Sequence, residues 1–329
     1  MKKIFTFFTL SAFLLPIAVA ADTNLPGVDH FINEVADQYG FDKTKLEQLF
    51  AGVEVKSNIL QAISRPAEKS KPWYEYRSLF LTPENIQGGI AFWKANKHSL
   101  IRAQKEFGVL PEIIVAILGV ETRYGRHTGH YRVIDSLSTL AFHYPPRSQF
   151  FRHQLVEFLL LSREEQQDPR YFTGSYAGAM GIVQFMPDSF RHYAVDFDQD
   201  GWRDIWEDPK DAIGSVANFL KQKGGWQAGA PVVSFAKVNG ADYRHWLDKG
   251  PKPSIPLRQL LQDGIQVADN ISENELASIF VLEQEEGPQV WVGFHNFYAL
   301  MRYNPSPLYA MAVYQLAEKI KARLAGCNS

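Results

Sequence analysis

The sequence contains a single cysteine, Cys327, near its carboxyl end. One cysteine cannot form an internal disulfide, so a buried apolar core has to supply the stability of the fold. Of the 329 residues, 46% are hydrophobic and 13% are aromatic, which is enough for a large core. The length exceeds that of one ordinary domain and leaves room for two or three lobes on that core.

An excess of positive charge is also missing. The chain has 34 Lys and Arg residues against 36 Asp and Glu residues, a formal net charge of −2. Nucleic-acid-binding domains usually carry a basic face, so this balance argues against a nucleic-acid partner. Long runs of like charge, low-complexity segments and repeats of fixed period do not occur either, which argues against a repeat architecture.

The amino terminus has an apolar run that is too short to span a bilayer comfortably. In MKKIFTFFTLSAFLLPIAVAADT, two lysines precede this run and small residues follow it. The order predicts a secretory signal peptide over residues 1–20, with a stable anchor helix as the alternative. Removing the signal also removes the two lysines, so the net charge of the mature chain becomes −2 − 2 = −4.

Helix signals recur along most of the chain. Proline opens several apolar segments at the first helical position, with a capping residue before it in Thr82-Pro83 and Asp208-Pro209, and glycine follows their last periodic residue. Between residues 229 and 293, β-branched and aromatic runs are instead separated by turn residues, and IFVLEQEEGPQVWVGF predicts a hairpin that turns near Gly287. We therefore expect a mainly helical α+β protein with a small strand-containing insertion before the last helices.

One carboxylate lies at the end of a strongly apolar helix. In PEIIVAILGVETRYG, Glu121 is at the rim of an apolar stripe, in the last turn before Gly125. Partial burial and the negative end of the helix dipole both favour the protonated carboxylic acid, which is the form that can protonate a glycosidic oxygen. A structural ion pair with Arg123 or Arg126 is the alternative. The stripe comprises Ile113, Ile117, Val120 and Tyr124.

The segment GSYAGAMGIVQFMPDSF, residues 174–190, combines small residues with polar and aromatic ones. Its glycines and alanines allow close backbone approach to a neighbour or a ligand. Ser175, Gln184 and Phe185 would suit an N-acetylated sugar, which presents amide and hydroxyl edges on a partly apolar ring. A tight helix-packing segment is the alternative.

The segment DFDQDGWRDIWE, residues 196–207, follows the ligand order of an EF-hand. Oxygen donors occupy positions 1, 3, 5, 7 and 12, glycine occupies position 6, and Asp204 occupies position 9. This order predicts one structural Ca²⁺ site, with an acidic surface turn as the alternative. Arg203 at position 8 replaces the usual aliphatic residue and argues against pairing with a second hand. The predicted ligands are Asp196, Asp198, Asp200, the carbonyl of Trp202, and Glu207.

The segment FHNFYALMRYNPSPLYAMAV, residues 294–313, is rich in aromatic residues and asparagines. Phe297 and Met301 have helical spacing and are predicted to face the core. Tyr303 and Asn304 come just before a proline break, where side chains can face a cleft.

Taken together, these motifs resemble the membrane-bound lytic murein transglycosylase B family of bacterial cell-wall enzymes. The resemblance runs from GVDHFINEVADQYGF through PEIIVAILGVETRYG and GAMGIVQFMP to RYNPSPLYAMAV, nearly the whole mature chain. It implies that Glu121 is the single catalytic acid and that residues 196–207 form a calcium loop. It also implies a glycan cleft lined by Tyr76, Arg147, Ser175, Gln184, Phe185, Tyr303, Asn304 and Tyr309.

The resemblance further implies a lysozyme-like helical core with an extra helical lobe and a small β insertion. The lytic transglycosylase unit would span residues 21–325, and residues 326–329 would form a tail. Within the unit we expect a helical lobe that includes part of the core, then the catalytic core, the β insertion, and C-terminal helices that return to the core. Their predicted ranges are 21–110, 111–225, 226–293 and 294–325.

The chain departs from the family pattern in three places. It lacks the lipobox cysteine of membrane-bound members, so we expect a soluble periplasmic form. Pro146 stands where a second basic residue often precedes Arg147, and Phe219 stands where a close relative has tyrosine. The last two changes concern contacts with the ligand rather than the chemistry.

The activity implied by the resemblance is non-hydrolytic cleavage of the β-1,4 bond between N-acetylmuramic acid (MurNAc) and N-acetylglucosamine (GlcNAc). The product would be a 1,6-anhydro-MurNAc end, and the expected partner is the glycan strand of peptidoglycan, bound by a monomer that needs no organic cofactor. Two alternatives remain, a hydrolytic muramidase that uses the same acid and a non-catalytic, calcium-stabilised wall-binding protein.

Overall fold

The structure is a computed structural model that describes residues 25–64, 71–238, 240 and 242–326. The predicted signal peptide and Cys327 lie outside these residues. The described helices are α1 (Val28–Tyr39), α2 (Lys43–Ala51), α3 (Ser57–Ile63), α4 (Trp73–Tyr76), α5 (Pro83–Ala95), α6 (Lys97–Phe107), α7 (Pro111–Thr122), α8 (Val133–His143), α9 (Ser148–Glu164), α10 (Pro187–Tyr193), α11 (Pro209–Gln222), α12 (Arg244–Leu247), α13 (Leu257–Gln262), α14 (His295–Met301) and α15 (Pro307–Gly326). The described strands are β1 (Tyr131–Arg132), β2 (Thr173–Gly174), β3 (Val233–Val238), β4 (Ile255–Pro256), β5 (Ile265–Val267), β6 (Leu276–Gln284) and β7 (Gly287–Gly293).

The predicted fold class, mainly helical with a small sheet, is confirmed. Several helices begin and end as the sequence indicates, because local side chains satisfy their free backbone groups. The Thr82 hydroxyl caps α5 by accepting from Asn85, and the Asp208 carboxylate caps α11 by accepting from Lys210. Over the described ranges, no helix is both long enough and apolar enough to cross a membrane.

The five-stranded sheet is antiparallel, with strand order β4-β6-β7-β3-β5. Its centre is the predicted hairpin of β6 and β7, in which Phe280 pairs with Trp291 and Gln284 pairs with Gly287. A small hydrophobic cluster that includes Leu257, Ile265 and Val292 lies against this sheet. The chain then leaves β7 for α14 and α15, which return to the main core.

The central element of the main core is α7. The sequence predicts one apolar stripe on this helix, but residues 111–120 are buried on every side. The reason is that α7 packs against α5, α6, α11 and α15, so it has no solvent face on which polar residues would be needed. The exception is Glu121, which is half-buried at the end of the helix.

The turn after Glu121 has an unusual backbone. Helix α7 ends at Thr122, three residues before the predicted Gly125, and both Arg123 and Tyr124 adopt left-handed conformations with φ of 50° and 63°. Non-glycine residues adopt this conformation at a cost in free energy, so the surroundings have to fix it. The Tyr124 hydroxyl donates to the Asn85 carbonyl at 2.8 Å.

Three glycines make room for the Tyr124 ring. A Cβ atom at Gly119 would lie 2.5 Å from the Tyr124 hydroxyl oxygen. Cβ atoms at Gly88 and Gly89 of α5 would overlap the Tyr124 side chain to a similar extent. The ring also stacks on Phe92 at 5.6 Å. Tyr124 therefore acts as a wedge between α5 and α7, and it fixes the direction of the chain immediately after Glu121.

We predict that Gly119→Ala lowers the free energy of unfolding by about 1–3 kcal/mol, the usual cost of overpacking a rigid site. The added methyl group would overlap the Tyr124 ring. Urea-induced unfolding measures the change. The control is Gly52→Ala, where a Cβ would meet its nearest neighbour at 3.5 Å. Equal stability of the two variants would contradict the wedge role of Tyr124.

Candidate active site

The candidate site is centred on Glu121, where the end of α7 meets α15. The Tyr309 phenol, in the first turn of α15, donates to Glu121 Oε1 at 2.6 Å. Tyr309 is 2% exposed, whereas Glu121 as a residue is half-buried. The carboxylate is therefore held from the core side by Tyr309, in a residue that is not sealed from solvent.

Tyr303 and Tyr309 form the wall behind Glu121. Their rings are nearly parallel, with centroids 6.4 Å apart, and the Tyr303 hydroxyl donates to the Val183 carbonyl at 2.6 Å. Burial, and after it the charge of the Glu121 carboxylate, raises the pKa of both phenols well above the usual range. Both therefore stay neutral hydrogen-bond donors at any physiological pH.

An aromatic cluster extends this wall. Phe185 lies 5.8 Å from Tyr303, and Phe219 lies 4.8 Å from Tyr303 and 5.4 Å from Phe185. Phe185 and Phe219 are buried, so they support Tyr303 from the core. Phe219, noted in the sequence as a departure from tyrosine, therefore lies in the support of this wall.

Ser175 and Gln184 belong to one tightly folded loop. The Ser175 hydroxyl accepts from the Ala179 amide at 3.0 Å, and the Ala179 carbonyl accepts from the Ser175 amide at 2.8 Å. Gln184 has a left-handed backbone, and its Nε2 donates to the carbonyls of Thr128 and Gly181 at 3.0 and 2.9 Å. With both amide hydrogens used, the Gln184 side chain is oriented before any ligand arrives.

The other predicted cleft residues differ in their relation to Glu121. Tyr76, on α4, is buried and close enough to Tyr309 to contribute to its raised pKa. Asn304 is half-buried in the connection between α14 and α15, one residue after Tyr303. Arg147 is exposed on a short 3₁₀ turn, with its guanidinium 4.3 Å from the ring centroid of Phe150.

In the loop of residues 196–207, the carboxylate of Asp196 points toward the backbone amides of the loop itself. Asp196 accepts from the amides of Gln199, Asp200 and Gly201 at 2.7 to 3.1 Å. The Lys210 ammonium lies 2.6 Å from Asp198 Oδ2 and balances part of the negative charge of the loop.

The carboxylates that come together here differ from the predicted set. Asp196 and Asp198 form a group with Asp211, whose ligand atoms all lie within 4.8 Å of one another. Asp200 instead accepts from the Trp202 amide, and Glu207 lines a separate cavity.

The ligand groups differ from the EF-hand order because helix α11 starts after the loop has ended. An EF-hand places position 12 in the following helix, but Asp204 here caps a turn by accepting from the amides of Trp206 and Glu207, and α11 begins only at Pro209. Asp211 in its first turn thus reaches back to the loop, where it accepts from the Phe197 and Asp204 amides. Burial raises the pKa of Asp211 to about 6. The helix-start signal Asp208-Pro209 was the clue in the sequence.

Comparison with known proteins identifies the family. Residues 24–318 match the model of the transglycosylase SLT domain. The chain is 40% identical to membrane-bound lytic murein transglycosylase B of Escherichia coli K12 over 306 residues, which cover 90% of this chain and 83% of the relative.

Solved structures show the same relationship. Soluble lytic transglycosylase SltB1 from Pseudomonas aeruginosa is 50% identical, with a TM-score of 0.84 over 92% of this chain and 100% of that one. The Escherichia coli lytic transglycosylase Slt35 in complex with calcium is 38% identical, with a TM-score of 0.82 over 92% and 96% of the two chains. This chain therefore belongs to the transglycosylase SLT domain family and is a lytic transglycosylase that acts on peptidoglycan.

Proposed function

We propose that Glu121 is the single acid and base for cleavage of the β-1,4 bond between MurNAc and GlcNAc. The observation that carries the proposal is the position of this carboxylate, on a half-buried residue at the end of a buried helix and held by the Tyr309 phenol at 2.6 Å. A group that has to both give and take a proton benefits from a fixed position and an open face.

The proposed reaction consumes no water. Protonated Glu121 gives its proton to the oxygen that leaves with GlcNAc, and the bond from that oxygen to MurNAc C1 breaks. The 2-acetamido group of MurNAc stabilises the electron-poor C1, as in substrate-assisted glycosidases. Ionised Glu121 then removes the proton of the MurNAc 6-hydroxyl, whose oxygen bonds to C1. Because this hydroxyl belongs to the same sugar, its proximity favours it over water.

The surrounding residues have supporting roles in this proposal. Tyr309 positions the carboxylate, and Tyr303 with Phe185 forms an aromatic surface beside it. Ser175 and Asn304 are assigned to the acetamido group and the acid, because both are half-buried polar residues in segments that match the family motifs. Gln184, Tyr76 and Arg147 are assigned to other parts of the glycan cleft.

We also propose one structural calcium ion at the 196–207 loop, held by Asp196, Asp198, Asp200, the Trp202 carbonyl and Asp211. Oxygen-only donors with several carboxylates suit a hard cation, and the related Slt35 was solved with calcium. Asp211 replaces Glu207 in this ligand set because the described geometry groups it with the first two loop carboxylates.

We further propose a periplasmic location, reached through the signal peptide predicted over residues 1–20. The substrate supports this location, since peptidoglycan lies outside the inner membrane.

We predict that Glu121→Gln lowers the rate of release of soluble muropeptides from sacculi by at least about 10²-fold, because general acid–base catalysis contributes that much or more. Glycan binding should persist. Mass spectrometry of the wild-type products should show ends that weigh one water less than reducing ends.

The control for this variant is Glu34→Gln, which changes an exposed carboxylate on α1. Reducing ends in the wild-type digest would identify a hydrolytic muramidase. Binding to sacculi without soluble products from the wild type would identify a wall-binding protein, and full activity of Glu121→Gln would remove Glu121 from the mechanism.

We predict that Tyr309→Phe lowers activity by about 10- to 100-fold, the value of one hydrogen bond to a charged group. The phenyl ring keeps the packing, so the unfolding midpoint should change little. Turnover of purified sacculi and thermal unfolding provide the two readouts. The matched control is Tyr314→Phe on the same helix, and an equal loss of activity in the two variants would refute the positioning role of Tyr309.

We predict that calcium stabilises the protein by about 2.7 kcal/mol when its free concentration is about 100 times Kd, and that magnesium has a smaller effect. Asp196→Asn and Asp211→Asn should abolish the calcium-dependent rise in unfolding temperature, whereas Glu207→Gln should retain it. Circular dichroism checks that the variants fold, and Glu207→Gln alone still distinguishes the two ligand sets if Asp211→Asn does not fold. If Glu207→Gln instead loses the calcium-dependent rise in unfolding temperature and Asp211→Asn retains it, the ligand set predicted from the EF-hand order is the correct one.

A further inference from the structure

A cavity that Glu121 does not line lies between the 196–207 loop and the segment that follows α9. Its volume is about 580 Å³, within the range of small-molecule sites. We call it the loop cavity, and Glu121 and the eight predicted glycan residues do not line it. Its principal lining residues are Thr128, Tyr171, Phe172, Thr173, Trp202 and Trp206.

Two of its aromatic side chains are unusually accessible. Tyr171 is 78% exposed and Trp202 is 51% exposed. Large aromatic groups held in water are costly, and a group of them beside a cavity is typical of a binding surface. Flat aromatic faces pack well against the apolar faces of sugar rings.

The wall behind these residues is fixed. The Trp206 indole donates to the Thr173 carbonyl at 3.1 Å, and its ring lies 5.2 Å from Phe172 and 5.6 Å from Phe190. A ligand would therefore meet an aromatic surface that is already ordered, which lowers the entropy cost of binding.

The charges of the loop cavity favour a neutral, hydroxyl-rich ligand. The Arg203 guanidinium is already bonded to Glu165, and Asp204 is used by two backbone amides. The other polar side chains of the lining include the exposed Glu207 carboxylate, the exposed Gln167 amide and the hydroxyls of Thr128 and Thr173. A carboxylate can accept from sugar hydroxyls, but it would repel the acidic groups of a peptide.

The loop cavity adjoins the predicted glycan residues through shared backbone. Thr128 lines the cavity, and its carbonyl accepts from the Gln184 side chain at 3.0 Å. Thr173 lines the cavity two residues before Ser175. The two segments touch, because a Cβ at Gly129 would lie 2.1 Å from the Gly174 carbonyl oxygen. The same two segments thus carry residues of both sites.

We propose that the loop cavity is a second saccharide site, which holds a sugar of the same glycan strand at a distance from the bond that is cleaved. This inference rests on the proposed function, since the occupant is the strand bound at Glu121. Tyr171 and Trp202 provide the stacking faces, and Glu207 accepts from sugar hydroxyls. The site would make affinity depend on strand length.

The test measures binding of peptide-free glycan strands of two and of five disaccharide units to the Glu121→Gln variant by calorimetry. Adding Tyr171→Ala or Trp202→Ala should weaken binding of the long strand about tenfold, the usual effect of truncating an aromatic contact residue. Tyr171→Ala should leave the short strand bound as before. The control is Tyr39→Ala, which removes an exposed tyrosine on α1, outside the cavity.

The other outcomes are distinct. Unchanged affinity for the long strand in both variants, or an equal loss for the two lengths, would overturn the second saccharide site. The same titrations with strands that keep their stem peptides form a second arm, and a loss of affinity that occurs only in that arm would overturn the second saccharide site in favour of a peptide site. Failure of the proposed function appears separately, as cleavage of the strands by Glu121→Gln, which mass spectrometry of the calorimeter samples detects.

Discussion

The hydrogen bond from Tyr309 to Glu121 joins two residues 188 positions apart and depends on nearly every element of the main core. It requires that α7 and α15 pack side by side, because one helix supplies the carboxylate and the other the phenol. It also requires the β insertion to bring the chain back through α14 to the main core. The packing of α15 on α7 thereby holds the Tyr309 hydroxyl 2.6 Å from Glu121 Oε1.

The electrostatic setting of Glu121 follows from this packing. A carboxylate at the carboxyl end of a helix faces the partial negative charge of free carbonyls, and burial on one side adds a desolvation cost. A neutral phenol compensates part of that cost without adding a cation that would hold the group permanently ionised. Helix ends usually place glycine in the left-handed conformation, but here Arg123 and Tyr124 adopt it, and the Tyr124 wedge maintains the turn.

Local signals in the sequence predicted most of the elements but not the relations between them. The caps at Thr82 and Asp208, the β6–β7 hairpin and the final helix could be read from neighbouring residues, and so could the candidate acid at Glu121. The complete burial of α7 could not, because it depends on four other helices. The approach of Asp211 to Asp196 and Asp198 was missed, since the EF-hand order draws attention to twelve consecutive residues. The resemblance to a family identified Tyr309, but only the packing of α7 and α15 gives its distance from Glu121.

The position of Tyr309 on the last helix has a consequence for biosynthesis. While a ribosome makes the chain from its amino end, α7 and its carboxylate emerge long before the residue that orients that carboxylate. A nascent or truncated polypeptide that stops before residue 307 lacks the partner altogether, whatever the state of its other segments. In the proposed mechanism, completion of the site is thereby tied to completion of the chain.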